Sequence, residues 1–556
     1  MWKKNYDYWL NHEKLESHIK DELLKMTDEE KEERFYKSLE FGTAGIRGIL
    51  GVGTNRLNAY IIRRINHGFA DYLLRYVENA GNMGVVIAYD NRHESDTFAM
   101  ESAKVLASKG IKVYLFESLR PTPELSFAVR HLHAAGGIVI TASHNPPEYN
   151  GYKIYNQEGC QLLPEENDKV IECIDKIERE LDIERADDLQ ANENIHFIGE
   201  EMDNLYYAMI RELALHKDLN KDQFKVVFSP QHGTSYQGLK KILVEEGYQV
   251  IFVEEQCAPD PDFSHTKSPN PENEKAYELA IEYAKRQDAD IIITTDPDGD
   301  RLGAMVKNDE GQYQLLNGNQ IGVILLEYRI YQMKKKGIMP KKPYVVTTIV
   351  TSEMGQALCK AENVEMELVL TGFKYIGDLI HQYEKSEKTF LLGYEESYGY
   401  NLSDKVRDKD ALQAAYLLLE AACYYKQKEG VTLLELLQRL YERYGYYHEQ
   451  LFDFEMPGVN GIQKIAEIMD RVRQNPPEKL GNIPVKEIQD FEKGYKDIPP
   501  ANVIKIRLSD KSFVALRPSG TEPKFKLYVS IVGQDKIETE QKLTKVYEDI
   551  KKYIDA

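Results

Sequence analysis

Gly137-Ile138-Val139-Ile140-Thr141-Ala142-Ser143-His144-Asn145-Pro146-Pro147 runs from an apolar strand into a proline-bounded turn. The β-branched run reads as a buried strand, and Asn145-Pro146 as the punctuation after it. Ligands of open α/β sheets bind beyond the carboxyl ends of the strands, so Ser143 falls where chemistry is done. The pattern predicts an exposed Ser143 hydroxyl on a constrained turn, beside His144 and ten residues before Lys153. A serine that carries a phosphoryl group needs access, a positive neighbour and a proton acceptor. A turn serine stabilised by Asn-Pro is the plainer alternative, and this stretch alone does not separate the two.

Outward from this stretch, β-type runs alternate with helical ones. Val85 to Tyr89 is a strand, Thr97 to Ser108 a helix and Ile111 to Phe116 a strand. The alternation restarts at Val226 to Phe228, with Gly238 to Glu246 helical and strands at Val250 to Val253 and Ile291 to Thr294. It restarts again with a helix near Gly322 to Met333, a strand at Tyr344 to Val350 and a helix near Glu353 to Ala361. Such alternation predicts parallel sheets in three related α/β units. The last hundred residues differ. Val503 to Leu508, Ser512 to Leu516 and Phe525 to Val532 are closely spaced strands before a long amphipathic helix, Lys536 to Tyr553. That order predicts a smaller α+β domain. The first forty residues read as charged helix, with Leu15, Ile19, Leu23 and Leu24 on its apolar face. The expected domains are 1–200, 201–315, 316–445 and 446–556, and about 150 residues per domain gives the same number for a chain of 556.

The 91 acidic residues outnumber the 71 basic ones, for a net charge of -20. That balance argues against a nucleic-acid partner. An anionic substrate would then need basic groups concentrated locally. Five scattered cysteines without a CxxC pair fit buried thiols in a reducing compartment. No apolar run approaches the ~18 residues of a membrane span, and no leader peptide is visible. The expectation is a cytoplasmic protein with no membrane partner.

Asp296-Pro297-Asp298-Gly299-Asp300-Arg301 follows the strand at Ile291 to Thr295. Three carboxylates at alternate positions of a tight loop converge on one hard cation, and magnesium is the expected one. A calcium loop is excluded, because its twelfth position is Lys307 instead of glutamate. Leu516-Arg517-Pro518-Ser519-Gly520-Thr521-Glu522-Pro523-Lys524 offers hydroxyls, backbone N–H groups and a cation at each end, which suits a phosphate dianion. Thr371 to Lys374, Gly393-Tyr394-Glu395-Glu396-Ser397-Tyr398-Gly399 and Arg407 to Asp410 supply acceptors for sugar hydroxyls and a lysine, Lys409, for proton transfer or phosphate binding. Phe41 to Gly48 is glycine-rich but lacks the lysine-serine ending of a nucleotide loop.

In order, the stretches at 43–47, 141–146, 296–301, 393–399 and 517–524 resemble the α-D-phosphohexomutase superfamily, nearest its phosphoglucomutase/phosphopentomutase branch. The resemblance spans nearly the whole chain. It implies a heart-shaped enzyme of four domains, three similar α/β ones and a smaller α+β one. It implies that Ser143 is the phosphoserine and that Asp296, Asp298 and Asp300 hold one Mg2+ with a Ser143 oxygen as fourth ligand. Lys153, Lys409, Arg47 and His144 would line the reacting centre. Glu395 and Ser397 would grip sugar hydroxyls, and Arg517, Ser519, Gly520 and Thr521 the non-reacting phosphate. Arg301, Lys374 and Lys524 are grouped with these substrate-binding residues. Tyr394 and Ala44 depart from the commoner pattern, and Tyr394 would reshape the sugar loop.

The implied reaction interconverts glucose 1-phosphate and glucose 6-phosphate, with glucose 1,6-bisphosphate as intermediate and activator, in a monomer or weak homodimer. Ser397, two residues after Glu395, favours a hexose over ribose 1-phosphate. Phosphopentomutase or phosphomannomutase activity is the alternative within the same chemistry. A serine-nucleophile phosphatase and a non-catalytic sugar-phosphate sensor are the alternatives outside it.

Overall fold

The computed structural model describes residues 2–42, 45–190, 192–456, 459–518 and 524–555, excepting the side chains of 459 and 460. Two compact units emerge, Met1–Leu316 with Ile376–Ser386 and Tyr398–Cys423, and Asn317–Tyr375 with Glu387–Ser397 and Tyr424–Ala556.

The first unit holds two sheets. One consists of β1 (Ile46–Ile49), β2 (Val85–Tyr89), β3 (Val113–Phe116), β4 (Gly136–Ile140), β5 (Tyr149–Asn156) and β6 (Ile195–Ile198). Its order is β1-β5-β4-β2-β3-β6. All of β4 and nearly all of β2 are buried, which is why both read as continuous apolar runs. Ile61, Ile65 and Phe69 of the helix Ala59–Tyr76 share one core with Ile87, Ile138 and Ile140 of the sheet. Each such side chain contributes about 1.5–3 kcal/mol when fully buried. Helices Trp2–Leu10, Ser17–Lys25 and Asp28–Phe35 form a separate cluster around Trp9. Trp9 Nε1 donates to Glu180 Oε1 at 2.6 Å, tying the N-terminus to the unit. Leu23 is buried there, but Leu24 is 64 % exposed and not part of an apolar face.

The second sheet consists of β7 (Lys225–Ser229), β8 (Gln249–Phe252), β9 (Ile291–Thr295), β10 (Leu302–Lys307) and β11 (Tyr313–Leu316), in the order β11-β10-β9-β7-β8. The expectation of parallel sheets needs correction at two pairings in each: β1 is antiparallel to β5, and β11 to β10. β5 likewise runs antiparallel to β4, and β10 antiparallel to β9. In both places the turn that carries the chemistry is short, so the chain returns directly beside the strand it left. A parallel return would require a crossover of a dozen residues or more.

In the second unit, β12 (Pro343–Thr348), β13 (Glu365–Val369) and β14 (Thr389–Glu395) are parallel in the order β13-β12-β14. Tyr394 is wholly buried in β14. A Cβ at Gly322 would lie 2.3 Å from its ring, and one at Gly355 would lie 2.0 Å from its hydroxyl. The tyrosine is therefore a core residue seated against two glycine-bearing helices, Gly318–Lys335 and Met354–Glu362. It does not point into the sugar loop, contrary to the expectation for this position. The C-terminal sheet is antiparallel in the order Tyr446–Glu455, Lys524–Gly533, Phe513–Pro518, Ile504–Leu508, Ile483–Asp490 and Lys479–Leu480. Helices Val459–Gln474 and Lys536–Asp555 supply Ile468, Val472, Val546 and Ile550 to its core. The fold class is as expected: three α/β sheets and a smaller α+β C-terminal part. Among the described residues no helix is long and apolar enough to cross a membrane.

Candidate active site

Ser143 lies just past β4, in a turn where Thr141 Oγ1 accepts its N–H at 2.8 Å and the Ala142 carbonyl accepts that of Asn145 at 3.1 Å. Its φ is +52°, a left-handed conformation that costs a non-glycine residue of order 1–3 kcal/mol. The constrained turn is as expected. The exposed hydroxyl is not, since Ser143 is only 2 % exposed. Its Oγ donates to Asp296 Oδ2 at 2.7 Å and lies 3.2 Å from His144 Nδ1. The loop from β9 covers it.

That loop is folded tightly by its own first carboxylate. Asp296 Oδ1 accepts the N–H groups of Asp300 at 3.1 Å and Arg301 at 2.9 Å. Gly299 takes a φ of +69°, and its N–H reaches the Asp296 carbonyl at 3.0 Å. Asp298 Oδ2 accepts from Lys153 Nζ at 2.9 Å and from the Thr122 hydroxyl at 3.0 Å. Asp300 Oδ2 lies 3.1 Å from Lys409 Nζ and 3.6 Å from Lys153 Nζ. Three buried carboxyl groups thus face two ammonium groups, with Arg301 Nε also 3.9 Å from Asp300 Oδ1.

Burial, reinforced by the charges of Asp298 and Asp300, pushes the Asp296 carboxyl well above the usual carboxylate range. Burial also opposes the charge on Asp298, but Lys153, the Asp296 hydrogen bond and Lys409 outweigh it and hold that carboxyl low. One oxygen from each aspartate falls within 4.8 Å of the others. Asp298 Oδ1 and Asp300 Oδ1 are buried and accept no hydrogen bond. A buried, oxygen-only donor set with orphaned lone pairs fits a hard divalent cation.

Lys153 reaches this point from β5, opposite Val139 of β4. Lys409 also lies 3.2 Å from Asp408, whose other oxygen accepts the buried Tyr155 hydroxyl at 2.6 Å. Arg301 pairs with Glu272. Arg47 donates to the Asn145 side chain at 3.0 Å. Burial drives the His144 imidazole well below its ordinary value, helped by the charges of Arg301 and Arg47, so it is neutral at pH 7. The first unit therefore gathers Ser143, His144, Lys153, Lys409, Arg47, Arg301 and the three aspartates, and meets the need for locally concentrated basic groups. Arg92 was not singled out from sequence. Its guanidinium is buried beneath the Ser143 turn.

The remaining expected residues belong to the second unit. Glu395 is buried at the end of β14, and Ser397 follows half-buried. Glu396 Oε2 accepts the hydroxyls of Thr351 at 3.0 Å and Thr348 at 3.3 Å, which ties this carboxylate to its own unit. Lys374 Nζ sits 5.4 Å from the Tyr375 ring centroid, and burial lowers its ammonium pKa. Arg517 lies on the strand Phe513–Pro518 opposite Lys526, and its Nη1 contacts the Tyr528 hydroxyl at 3.4 Å. Lys524 lies 3.6 Å from Glu455. Ser519, Gly520 and Thr521 lie outside the described residues, as do Thr43 and Ala44.

The fold and the first unit's site define a class: an α/β enzyme with a buried serine hydroxyl set against cation-binding carboxylates and lysines, a site suited to phosphoryl transfer. The sequence families described as phosphoglucomutase/phosphomannomutase α/β/α domains I, II and III match residues 38–181, 204–311 and 317–444. The chain belongs to the phosphoglucomutase/phosphomannomutase family and is a mutase, an isomerase by class. A phosphoglucomutase of Staphylococcus epidermidis (strain ATCC 12228) is 41% identical over 529 residues, 93% of this chain and 95% of the relative. One from Staphylococcus aureus (strain MRSA252) is 39% identical over 540 residues, 95% of this chain and 96% of the relative. Among solved structures, the Paramecium phosphoglucomutase parafusin in its open form superposes with a TM-score of 0.70 at 19% identity, covering 94% of this chain and 95% of its own. A phosphoglucomutase/phosphomannomutase family protein from Burkholderia thailandensis gives 0.69 at 17% identity, covering 93% and 97%. These two likenesses concern the fold.

Proposed function

We propose that the chain interconverts glucose 1-phosphate and glucose 6-phosphate, with Ser143 as the phosphoryl carrier. The observation that carries this reading is the 2.7 Å hydrogen bond from Ser143 Oγ to Asp296, on a loop whose other two aspartates keep orphaned oxygens. Phosphorylated Ser143 gives its phosphoryl group to the free hydroxyl of the sugar monophosphate. The bond from Oγ to phosphorus breaks, a sugar O–P bond forms, and the hydroxyl proton passes to a base. The resulting glucose 1,6-bisphosphate reorients and returns its other phosphoryl group to Ser143 Oγ. Lys153 and Lys409 neutralise charge on the group in flight, and neutral His144 is available to accept and return the proton. Asp296, Asp298, Asp300 and Ser143 would hold Mg2+, which when bound supplies further charge neutralisation at the transferring phosphoryl group.

Glu395 and Ser397 recognise the sugar hydroxyls in this reading. Arg517 with Ser519, Gly520 and Thr521 takes the non-reacting phosphate, and Lys374, Lys524, Arg47 and Arg301 complete the binding set. The four functional domains are 1–200, 201–315, 316–445 and 446–556. The enzyme works in the cytoplasm as a monomer or weak homodimer, with glucose 1,6-bisphosphate as activator. Glucose 1-phosphate outranks ribose 1-phosphate because Ser397 keeps a hydroxyl that would be left unpaired against a smaller sugar.

The test is a coupled assay with glucose 1-phosphate, ribose 1-phosphate and mannose 1-phosphate side by side, together with intact mass of wild type and Ser143→Ala. The expected result is greatest kcat/KM on glucose 1-phosphate, one phosphate on the wild type and none on the variant, which is inactive. Near-normal turnover by Ser143→Ala, or release of free phosphate as the main product, would overturn the reading.

A further inference from the structure

Arg92 follows β2, in a different part of the chain from every motif named above. Its side chain is wholly buried. One guanidinium gathers four main-chain carbonyls from the Ser143 turn. Nη2 donates to Ser143 at 2.6 Å and to Asn145, and Nη1 to Pro146 at 2.9 Å and Tyr149 at 3.0 Å. These four carbonyls run from the start of the turn to the first residue of β5. The arginine is itself held by an ion pair and an aromatic ring. Asp90 Oδ2 lies 3.4 Å from its Nε, and Asp90 Oδ1 accepts its backbone N–H at 2.9 Å and the Ser95 hydroxyl at 2.7 Å. The Phe263 ring covers the guanidinium at 5.0 Å.

Ser143 needs such a clamp. Its φ of +52° is disfavoured for any residue with a Cβ. Relaxation to the right-handed region would turn the Ser143 carbonyl and the Oγ together, and the turn has no strand ladder of its own to resist this. We propose that Arg92 is a positioning residue that holds Ser143 in this conformation, through the four carbonyls, so that Oγ stays aimed at the Asp296 loop. The inference rests on Ser143 being the phosphoryl carrier. Only a planar fork with several donors can span four carbonyls, and an ammonium is a compact point charge without that geometry. A shift of the reacting oxygen by about an ångström costs on the order of 100-fold in rate.

The test compares Arg92→Lys, Arg92→Ala and Asp90→Asn with the wild type on glucose 1-phosphate. Turnover is normalised to the fraction of enzyme phosphorylated on Ser143, read by intact mass. Arg92→Lys is expected to lose roughly 100-fold in kcat per phosphorylated enzyme while KM stays within about twofold. Guanidinium ion, well below denaturing concentration, should partly restore Arg92→Ala and leave Ser143→Ala inactive. Asp90→Asn keeps the local hydrogen-bonding shape and loses the charge beside Arg92, so it should show the same split, more weakly. An arginine that merely stabilises the fold would lower the melting temperature and the phosphorylated fraction without changing normalised kcat, and that result overturns the inference. A wild type without phosphate on Ser143 would instead sink the carrier assignment, so the two failures are distinguishable.

Discussion

Replacing Lys153 with methionine keeps most of the side chain's length and removes its charge together with its hydrogen bond to Asp298. In the wild type the ammonium sits 2.9 Å from Asp298 and 3.6 Å from Asp300, with all three side chains at most 6 % exposed. Taking one partner out of a buried ion pair costs about 3–5 kcal/mol, because the other partner keeps its desolvation without its counterion. Here the loss leaves Asp298 without its ammonium partner, while Asp300 keeps Lys409 at 3.1 Å and Arg301 at 3.9 Å. The first unit should therefore lose about 3–5 kcal/mol in chelator. Excess Mg2+ should recover much of that, since a ligand that binds the folded form stabilises it by mass action. The only two tryptophans, Trp2 and Trp9, lie in the first unit, and Trp9 is wholly buried, so urea unfolding followed by tryptophan emission reports on this unit. Turnover should fall about 100- to 1,000-fold, the usual cost of losing one preorganised charge at the transition state. A loss under about 1 kcal/mol in chelator, or the same loss with and without Mg2+, would refute the electrostatic account of the triad.

Three further outcomes are expected. Arg517→Lys should lower kcat/KM on glucose 1-phosphate roughly 5- to 150-fold, because a lysine cannot reproduce a bidentate phosphate contact; unchanged kinetics would show that this strand does not bind phosphate. Burial pushes the Glu449 carboxyl up from 4.5 to about 7, against hydrogen bonds from Ser352 and Ser530. The folded state thus keeps a proton that the unfolded state releases, and stability falls as pH rises between those two values, by at most about 3 kcal/mol. Glu449→Gln should then melt higher than the wild type at about pH 8 and close to it near pH 5, whereas a pH-independent difference would contradict the burial argument. Gly355→Ala should cost about 1–3 kcal/mol by driving a methyl group into the Tyr394 hydroxyl, and Tyr394→Phe should recover most of it. Additive effects in that double-mutant cycle would remove the contact as the cause.

The motifs legible in the sequence were those whose chemistry is contiguous. Ile138 to Ser143 and Ile291 to Asp300 each join an apolar strand to a polar turn within ten residues, so strand, turn and reacting side chains can be read together. The burial of Ser143 could not be read this way, because its cover comes from Asp296, 153 positions away. β5 was missed because Tyr149-Asn150-Gly151-Tyr152-Lys153 is poor in β-branched residues; it is a strand through its pairing with β1 and β4. Tyr394 looked like an intrusion into a sugar loop because Gly322 and Gly355, which make room for its ring, lie 72 and 39 residues earlier.

Arg92 does carry a signal in the sequence. Asp90-Asn91-Arg92 follows immediately on Val85 to Tyr89, where the sheet is buried. A charged pair at the carboxyl end of a buried strand must find partners there, since an unpaired buried charge costs several kcal/mol. An aspartate alone could have met that need with local N–H groups, as an Asx turn. An arginine has donors and no acceptor, so burying it requires several carbonyls that are otherwise unclaimed. In this part of an α/β unit such carbonyls occur in the turns beyond neighbouring strands, and the neighbour of β2 in the sheet is β4, which leads into Ser143. Buried arginines just beyond apolar strands are thus a reason to look at the adjacent strand's turn for the reacting group, even where no motif marks the arginine itself.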